Sequence, residues 1–290
     1  MKLCIECHEV FDSEDWHCPT CSFVPEMTGE WPTFRPDLLG AGPKEFNSTT
    51  YERMAAFEAS SFYCLSRLRL IRWAFTKFFP AAGNFYDFGA GTGYVLDVLR
   101  STRPGLQMHG SDLSIDSLDW VNTRLGGEAT LFHTDADHIP YSEHFDVIGA
   151  FDVLEHIDDE LAVLRIFHNA IKPGGGVLLT VPQHMSLWSR LDDESGHKRR
   201  YVGDELATKV KAVGFKVALD TCFLGTLFLP QYISRRWFIS PKGDKGFEVE
   251  HILPGSINGA LKGVLGLELM LIRAGIRLPF GGMRIVAAYK

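Results

Sequence analysis

The sequence lacks an excess of positive charge. Among its 290 residues, 29 Lys and Arg stand against 36 Asp and Glu, which gives a formal net charge of −7. A chain with this balance has no general electrostatic attraction for nucleic acid. The composition therefore counts against a polynucleotide as substrate or partner.

Long hydrophobic runs and targeting signals are missing as well. No run of about 18 uninterrupted apolar residues occurs, which counts against a transmembrane span. The N-terminus, Met1 to Cys4, has no hydrophobic targeting core, and the chain contains no internal repeat or low-complexity tract. With 46% hydrophobic residues, it is expected to form one large core with a small appendage and to be cytoplasmic.

Cysteine is scarce, with six in the chain, yet four of the six lie near the N-terminus. They form two Cys-x-x-Cys pairs separated by ten residues, a spacing that can place four thiolates around one Zn²⁺. Disulfides or a redox pair are alternatives, but a cytosolic protein keeps its thiols reduced. We therefore predict a small zinc ribbon over residues 1–24, with structural Zn²⁺ bound by Cys4, Cys7, Cys18 and Cys21.

A glycine-rich turn is the most informative feature that the chain does contain. Residues 86–94 read YDFGAGTGY, between an apolar strand pattern and an apolar helix pattern. Glycines at 89, 91 and 93 let the backbone approach a ligand more closely than a Cβ would permit. Their G-x-G-x-G spacing differs from the G-x-G-x-x-G of dinucleotide-binding folds, because Tyr94 stands where that pattern has glycine or alanine.

Acidic residues follow three further predicted strands. The strand at 106–112 ends in Asp112, about 20 residues after the glycine turn, where an acid would bind a ribose diol. The strand at 129–133 precedes Asp135, and the strand at 145–151 runs into Asp152. Any one such acid is more often a helix cap or turn residue, but a correctly spaced series indicates a cofactor-binding α/β fold.

These motifs together resemble the class I S-adenosylmethionine (SAM)-dependent methyltransferases. The segments DFGAGTG at 87–93, DADHIP at 135–140 and FDVIGAFDVLEHI at 145–157 are similar to three of the family's motifs. One departure is DFG at 87–89, where many relatives have Glu-Ile-Gly, although the carboxylate is kept. The resemblance implies a doubly wound, Rossmann-like fold with a seven-stranded, mostly parallel sheet that has one antiparallel member, and a helical cap.

The resemblance also implies the cofactor and the residues that hold it. SAM would be the methyl donor and S-adenosylhomocysteine the product, with Asp112 accepting from the ribose and Asp135 from the adenine amine. Tyr63 or Arg67, from the helical region before the core, are candidates to cover the cofactor. The predicted cofactor-binding residues are Asp87, Gly89, Gly91, Gly93, Asp112, Leu113, Asp135, Ala136 and Phe151.

Three residues are predicted to be catalytic. Methyl transfer needs in-line positioning of the acceptor, and a base only where the acceptor must lose a proton. Residues 197–201 read HKRRY and resemble an H-x-R-x-[FY] segment that closes over the reaction centre in relatives, which singles out His197 and Tyr201. His156 follows the fourth strand. A hydrated basic turn at 197–200 and a helix-capping role for His156 remain as alternatives.

The chain divides into four parts around these motifs. The zinc ribbon, 1–24, precedes a linker and helical region at 25–80, whose stretch 25–46 is rich in proline and glycine and is expected to be irregular. The methyltransferase core covers 81–222 and 283–290. Residues 223–282 form an apolar insertion before the last strand, expected to contribute a hydrophobic or lipid-linked acceptor site, an oligomer interface or a membrane-surface contact.

Three hypotheses for function follow, in this order. The first is a methyltransferase that acts on an oxygen or nitrogen of a small molecule, with hydrophobic, lipid-linked and sugar-linked acceptors as candidates. The second is an RNA methyltransferase that docks through its zinc ribbon, which the acidic composition disfavours. The third is a SAM-binding protein without catalytic activity.

Overall fold

A mixed β-sheet runs through the middle of the molecule. The structure, a computed structural model, describes residues 1–40, 48–238 and 253–290. The described strands are β1 Lys2–Leu3, β2 Val10–Phe11, β3 Glu26–Thr28, β4 Trp31–Thr33, β5 Asn84–Phe88, β6 Gln107–Asp112, β7 Ala129–His133, β8 Phe145–Phe151, β9 Ile171–Pro182, β10 Lys216–Phe223 and β11 Met283–Tyr289.

Helices cover both faces of this sheet. The described α-helices are α1 Ser48–Ser60, α2 Phe62–Phe78, α3 Tyr94–Thr102, α4 Ile115–Leu125, α5 Glu160–Ala170, α6 Arg190–Glu194, α7 Glu205–Ala212, α8 Phe228–Ile233 and α9 Gly255–Arg273. Short 3₁₀ turns occur at Pro36–Leu38, Leu154–His156 and Met185–Leu187, and a π turn at Ser234–Phe238 continues α8.

The strand order of the large sheet is β10-β11-β9-β8-β5-β6-β7-β4-β3. Strands β9, β8, β5, β6 and β7 are parallel, and β11 runs antiparallel between β9 and β10. From β5 the chain continues to β6 and β7 on one side and then to β8 and β9 on the other side. The loops after β5 and its two neighbours therefore diverge and leave a crevice at the carboxyl ends of these strands. The expected doubly wound fold with seven core strands is confirmed.

The core strands are buried on both faces because their side chains alternate between two apolar clusters. Phe85 and Val147 belong to the cluster that contains α2, α3, α4 and α9, whereas Tyr86 and Ile148 belong to the cluster that contains α5 and α7. Gly176 fits where β9 passes β11, because a Cβ there would overlap the Ala288 carbonyl oxygen.

The predicted irregular linker is more ordered than its composition indicates. Residues 26–28 and 31–33 form the hairpin β3–β4, and β4 pairs in parallel with β7 through Thr33 and His133. The sheet therefore has nine strands rather than seven. Pro32 is tolerated because this hairpin lies at the sheet edge. Residues 41–46 of the predicted linker lie outside the described residues.

The N-terminal segment packs against the same edge of the main domain. Leu3 donates its backbone N–H to the Pro140 carbonyl at 3.0 Å. The Trp16 ring lies edge-on to Phe34 and Tyr141, with centroids 4.8 and 5.3 Å away. The ribbon is thus a docked part of the fold and shares its core contacts.

The insertion at 223–282 consists, in its described parts, of α8, the π turn and α9. Helix α9 packs against α2 through Leu265, Leu269 and Ile272, which are buried. By length and composition α9 is able to cross a membrane, with a mean hydropathy of 1.3 over its most apolar window and 22% of that window buried. Core helices of globular proteins can have the same length and composition, so this measure alone is a weak indication. The stretch 239–252 lies outside the described residues.

Candidate functional site

The glycine turn lies at the carboxyl end of β5, beside the switch in strand order. Gly89, Gly91 and Gly93 have φ values of +73°, +55° and +70°, a backbone region that side chains with a Cβ rarely adopt. At Gly91 a Cβ would meet no atom within 4 Å. The turn therefore presents bare backbone to open space, as a ligand cradle requires.

Asp112, at the end of β6, is joined directly to this turn. One carboxylate oxygen accepts the backbone N–H of Gly91 at 2.9 Å, and the other accepts that of Ser114 at 2.9 Å. Burial raises the pKa of Asp112 in spite of these hydrogen bonds. Each oxygen keeps a lone pair with which it can accept a further donor from a ligand.

An open cleft of about 940 Å³ extends over the ends of β5, β6 and β7. Six of the predicted cofactor residues line it: Gly89, Gly91, Asp112, Leu113, Asp135 and Ala136. Three do not, namely Asp87, Gly93 and Phe151. Gly93 instead packs on α4, where its Cβ would stand 3.1 Å from Val121.

Asp87 lies beneath the turn and is almost completely buried. Its Oδ1 atom has no hydrogen-bond partner among the described residues. Burial raises the pKa of Asp87 well above its usual value. An unpartnered buried carboxyl oxygen is costly, so a ligand donor reaching it from above the turn would be favoured.

Asp135 already has protein partners. Arg35, which follows β4, forms an ion pair with one oxygen, and His138 Nδ1 lies 2.6 Å from the other. The β3–β4 hairpin thereby fixes the position of Asp135 at the edge of the cleft. The predicted contact between Asp135 and an adenine amine would use the carboxylate lone pairs that Arg35 and His138 do not occupy.

Sequence reasoning did not identify several cleft residues. Tyr51 and Met54 of α1 line the cleft, as do Val153, Ser195 and Lys198. Tyr63 and Arg67, the residues considered for covering a cofactor, line a second cavity instead. A helical pattern fixes which residues share one face of a helix, but it does not reveal which loop that face will cover.

The second cavity, of about 270 Å³, adjoins the cleft. Met54, Asp152 and Ser195 line both spaces. Asp152 has a φ of +59° and pairs with Arg67 of α2 at 3.0 Å. The hydroxyl of Thr180 also donates to Asp152, at 3.1 Å. These contacts fix a carboxylate at the junction of the two spaces.

His197 lines the second cavity and is oriented by Asp192. Its Nδ1 atom lies 2.8 Å from Asp192 Oδ1, which also accepts from Arg200 Nε at 2.7 Å. Burial opposes ionisation of Asp192, but the hydrogen bonds from His197 and Arg200 lower its pKa to about 2. Because an ionised carboxylate only accepts, Nδ1 is the donor and Nε2 is left free to accept a proton.

Glu155 lies on the other side of the same imidazole, 3.9 Å from His197 Nε2. It is fully buried, and neither carboxyl oxygen has a hydrogen-bond partner among the described residues. Burial, together with nearby Asp152, raises the pKa of Glu155 well above its usual value. Glu155 was not among the predicted site residues. The signal that could have identified it is an acid within the mostly apolar stretch at 153–157.

The other two predicted catalytic residues occupy different environments. His156 lines the cleft, with its ring 4.8 Å from that of His197. The pKa of His156 is lowered mainly by burial and to a smaller extent by the neighbouring His197. Tyr201 is fully buried beneath the sheet and lines neither space. Burial raises the pKa of Tyr201. Tyr201 therefore has no role in the proposed reaction.

The four N-terminal cysteines converge on one point. Their sulfur atoms all lie within 4.8 Å of one another, with Cys4 and Cys21 3.5 Å apart and Cys7 and Cys18 3.6 Å apart. All four are free thiols, so the disulfide alternative does not describe this arrangement.

Two similar turns bring these cysteines together. In each turn, the residue after the second cysteine, His8 or Ser22, has a φ near +60° and donates its N–H to the carbonyl of the first cysteine at 3.0 Å. The two turns therefore have matching backbone geometry. This is the arrangement that a zinc ribbon requires.

A family model described as a methyltransferase domain matches residues 58–219, more than half of the chain. The ubiquinone/menaquinone biosynthesis C-methyltransferase UbiE from Desulfotalea psychrophila is 29% identical over 98 residues, which are 33% of this chain and 40% of the relative. A ubiquinone biosynthesis O-methyltransferase from Ruegeria pomeroyi is 33% identical over 101 residues, with the same two shares. The matched stretch thus spans less than half the length of these relatives.

Among solved structures, a SAM-dependent methyltransferase from Thermotoga maritima, described as a possible histamine N-methyltransferase, superposes with a TM-score of 0.52 at 16% identity. The likeness covers 83% of this chain and 95% of that chain. At such low identity it shows the shared fold and nothing more.

The Asp192 carboxylate makes the stability of the protein depend on acidity. Because its pKa is depressed in the folded state, its stabilising contribution is complete above pH ~4 and is lost as the pH falls towards ~2. The shift corresponds to about 2 kcal/mol. Urea unfolding between pH ~2 and ~7 should therefore show a steeper loss of stability for the wild type than for Asp192→Asn.

The exposed neighbour supplies the control for this measurement. Asp193→Asn should follow the wild-type profile, since Asp193 is exposed and its carboxylate accepts from the Trp188 indole N–H. Parallel curves for the wild type and Asp192→Asn would contradict the assignment.

Proposed function

We propose that this chain, which belongs to the methyltransferase domain family, is a class I SAM-dependent methyltransferase that methylates an oxygen or nitrogen of an apolar small molecule. The observation that carries the proposal is the meeting of a large cleft and a small cavity at Met54, Asp152 and Ser195. A donor in one space and an acceptor in the other would face each other at this junction, as in-line transfer requires.

The cleft has the size and the chemical groups for the cofactor. Its volume lies in the range typical of sites for ligands of that size. The glycine turn and Asp112, which line the cleft, would hold the nucleoside and amino-acid parts. When bound, SAM supplies a methyl group that is already activated by its sulfonium charge.

The small cavity suits an acceptor with an apolar body and one polar group. Apolar side chains from α1, α2, the insertion and the start of β11 line it, among them Phe57, Leu224 and Met283. The polar lining includes His197, Arg200 and Arg235. The printed names of the two relatives, which refer to ubiquinone or menaquinone biosynthesis, fit an apolar acceptor of this kind.

His197 is the base in this proposal. Asp192 holds its Nδ1–H, so that Nε2 can take the proton that a hydroxyl or amine loses when it gains the methyl group. Glu155 is kept protonated by burial, so the imidazole nitrogen is the basic group that remains beside it. One relative is named as a C-methyltransferase and the other as an O-methyltransferase. A basic imidazole favours a heteroatom acceptor.

The RNA-methylating alternative has less support. The formal net charge of −7 gives the chain no general attraction for a polyanion. A SAM-binding protein without catalytic activity would bind the cofactor and yield no product. Transfer of a labelled methyl group therefore distinguishes it from an active methyltransferase. The predicted cytoplasmic location belongs to this proposal.

The N-terminal cysteines suit structural zinc. Sulfurs held ~2.3 Å from a tetrahedral Zn²⁺ are about 3.8 Å apart, close to the 3.5 and 3.6 Å separations found here. We propose that the metal stabilises the two turns and thereby the docking of Trp16 on the sheet edge. The ribbon lies at the β4–β7 edge, so this role is structural.

Asp112 gives the first test of the cofactor site. Replacing Asp112 by Asn removes a charged acceptor, so calorimetry should show SAM affinity reduced about 10- to 100-fold. Asp97→Asn, on the outer part of α3, should bind like the wild type. Unchanged affinity in Asp112→Asn would remove this residue from the site.

The acceptor class can be tested by transfer of a labelled methyl group. The purified protein, given isotopically labelled SAM and a total cell extract, should place the label in a product that partitions into organic solvent. Mass spectrometry then identifies that product. Label confined to RNA, or to water-soluble compounds, would contradict the proposed acceptor.

His197→Gln sharpens this experiment. Loss of the base should lower kcat by about 10²- to 10⁴-fold while SAM affinity is kept. His168→Gln is the matched control, because His168 packs on Phe215 away from both spaces. A His197→Gln enzyme with normal kcat would show that no base is needed there.

Zinc is tested by metal content and melting temperature. The wild type should contain about one Zn²⁺ per chain, and a chelator should lower its Tm because binding free energy is part of folding free energy. The double variant Cys7→Ser/Cys21→Ser should carry no metal and should not respond to chelator. Cys64→Ala should keep its zinc. A metal-free wild type with an unchanged Tm would contradict the role.

A further inference from the structure

Helix α9 is apolar on both of its faces. Leu265, Leu269 and Ile272 are buried in the core. On the opposite face, solvent reaches Ile257, Val264, Leu267, Met270 and Leu271, with Leu267 64% and Met270 62% exposed. A surface helix of a globular protein normally presents polar residues to water, so this outer face needs another explanation.

Other described parts of the insertion expose large apolar side chains too. Trp237, in the π turn after α8, is 69% exposed, and Phe280, before β11, is 51% exposed. We call the whole set the apolar face: Leu229, Ile233, Trp237, Ile257, Val264, Leu267, Met270, Leu271, Ile276 and Phe280. Single exposed apolar residues are ordinary, whereas such a concentration marks an interaction surface.

The apolar face is built on a firmly held frame. The buried Glu268 carboxylate of α9 accepts the backbone N–H groups of Gly225 and Thr226 at 2.9 and 3.2 Å, which ties α9 to the segment before α8. Asn258 accepts the N–H of Phe62 at 2.8 Å and donates to the Ser60 carbonyl at 2.9 Å. The exposure of the apolar face is therefore a property of the folded helix.

Charge around the apolar face has one sign. In the described parts of the insertion, 224–238 and 253–282, five residues are basic, namely Arg235, Arg236, Lys262, Arg273 and Arg277. The single acid there is Glu268, which is buried. Arg236, Arg273 and Arg277 are exposed. Arg235 pairs with Asp192 at 3.5 Å, so the cationic rim consists of Arg236, Lys262, Arg273 and Arg277, in contrast to the net charge of −7 over the chain.

We propose that the apolar face binds the surface of an anionic lipid bilayer. Apolar side chains would enter the boundary between headgroups and acyl chains, with Trp237 at the interface and the arginines on lipid phosphates. A second copy of the chain fits less well, because a symmetric dimer would bring the same cationic rim against itself. Since one side of α9 is packed on α2, the helix lies on the bilayer and does not cross it.

The apolar face also adjoins the acceptor cavity. Leu224, Gln231, Arg235 and Met283, from the insertion and the start of β11, line that cavity. Docking would therefore bring the cavity close to the bilayer, where an apolar acceptor dissolves. This consequence rests on the proposed function, whereas the docking itself does not.

Sedimentation with lipid vesicles tests the docking on the full-length protein. The wild type should bind vesicles of equal parts phosphatidylglycerol and phosphatidylcholine at least ~10-fold more tightly than vesicles of phosphatidylcholine alone. Binding should weaken as salt rises from ~0.1 to ~1 M, because the screening length falls from about 10 to about 3 Å.

Variants separate the apolar contribution from the ionic one. Leu267→Glu/Leu271→Glu should abolish binding to both kinds of vesicle. Arg273→Gln/Arg277→Gln should bind the anionic vesicles about 30-fold more weakly, since each basic residue near the surface contributes ~1 kcal/mol. Val24→Glu/Met27→Glu, at exposed positions in and just after the ribbon, is the matched control and should bind like the wild type.

Folding and oligomeric state are checked on the same samples. Unchanged SAM affinity shows that each variant is folded, and a failure of methyl transfer does not bear on vesicle binding. Failure of the wild type to bind either vesicle would overturn the proposal. The proposal would also be overturned if the wild type formed a dimer in light scattering and did not bind vesicles, while Leu267→Glu/Leu271→Glu was a monomer. The apolar face would then bind a second copy of the chain.

Discussion

The ion pair between Arg67 and Asp152 joins the two halves of the site. Asp152 ends β8 in a left-handed backbone conformation and lines both spaces, while Arg67 belongs to α2, against which α9 packs. Both side chains are partly shielded from solvent, with 17% of Arg67 and 27% of Asp152 exposed, so removal of either partner would be destabilising. The pair thus sets the position of the insertion, and with it the acceptor cavity, relative to the cofactor cleft at the sheet edge.

Much of the fold could be predicted because its strands are buried on both faces. The strands at 129–133, 145–151 and 283–289 have the predicted bounds, since continuous apolar runs between turn residues leave little choice. The hairpin β3–β4 could not be predicted. Its residues form strands only because β7 offers an unpaired edge, and a contact over about 100 residues of sequence leaves no local pattern.

The site was predictable where chain order decides geometry. Gly91 and Asp112 come together because adjacent parallel strands end at the same edge of the sheet. Asp192 could not be found in this way, because its partners Arg200 and Arg235 come from segments whose course the local sequence does not define. Tyr201 belongs to a motif that resembles that of relatives, and in this chain its side chain is buried in the core.

The hydrogen bond between Gly91 and Asp112 has a consequence for the enzyme at work. In the proposed function, the groups around it hold the nucleoside and amino-acid parts of the cofactor, which are the same before and after transfer. The demethylated product should therefore compete with fresh donor at nearly equal strength. Throughput in the cell would then follow the ratio of the two compounds rather than the supply of donor alone, and steady turnover would require another enzyme that removes the spent form.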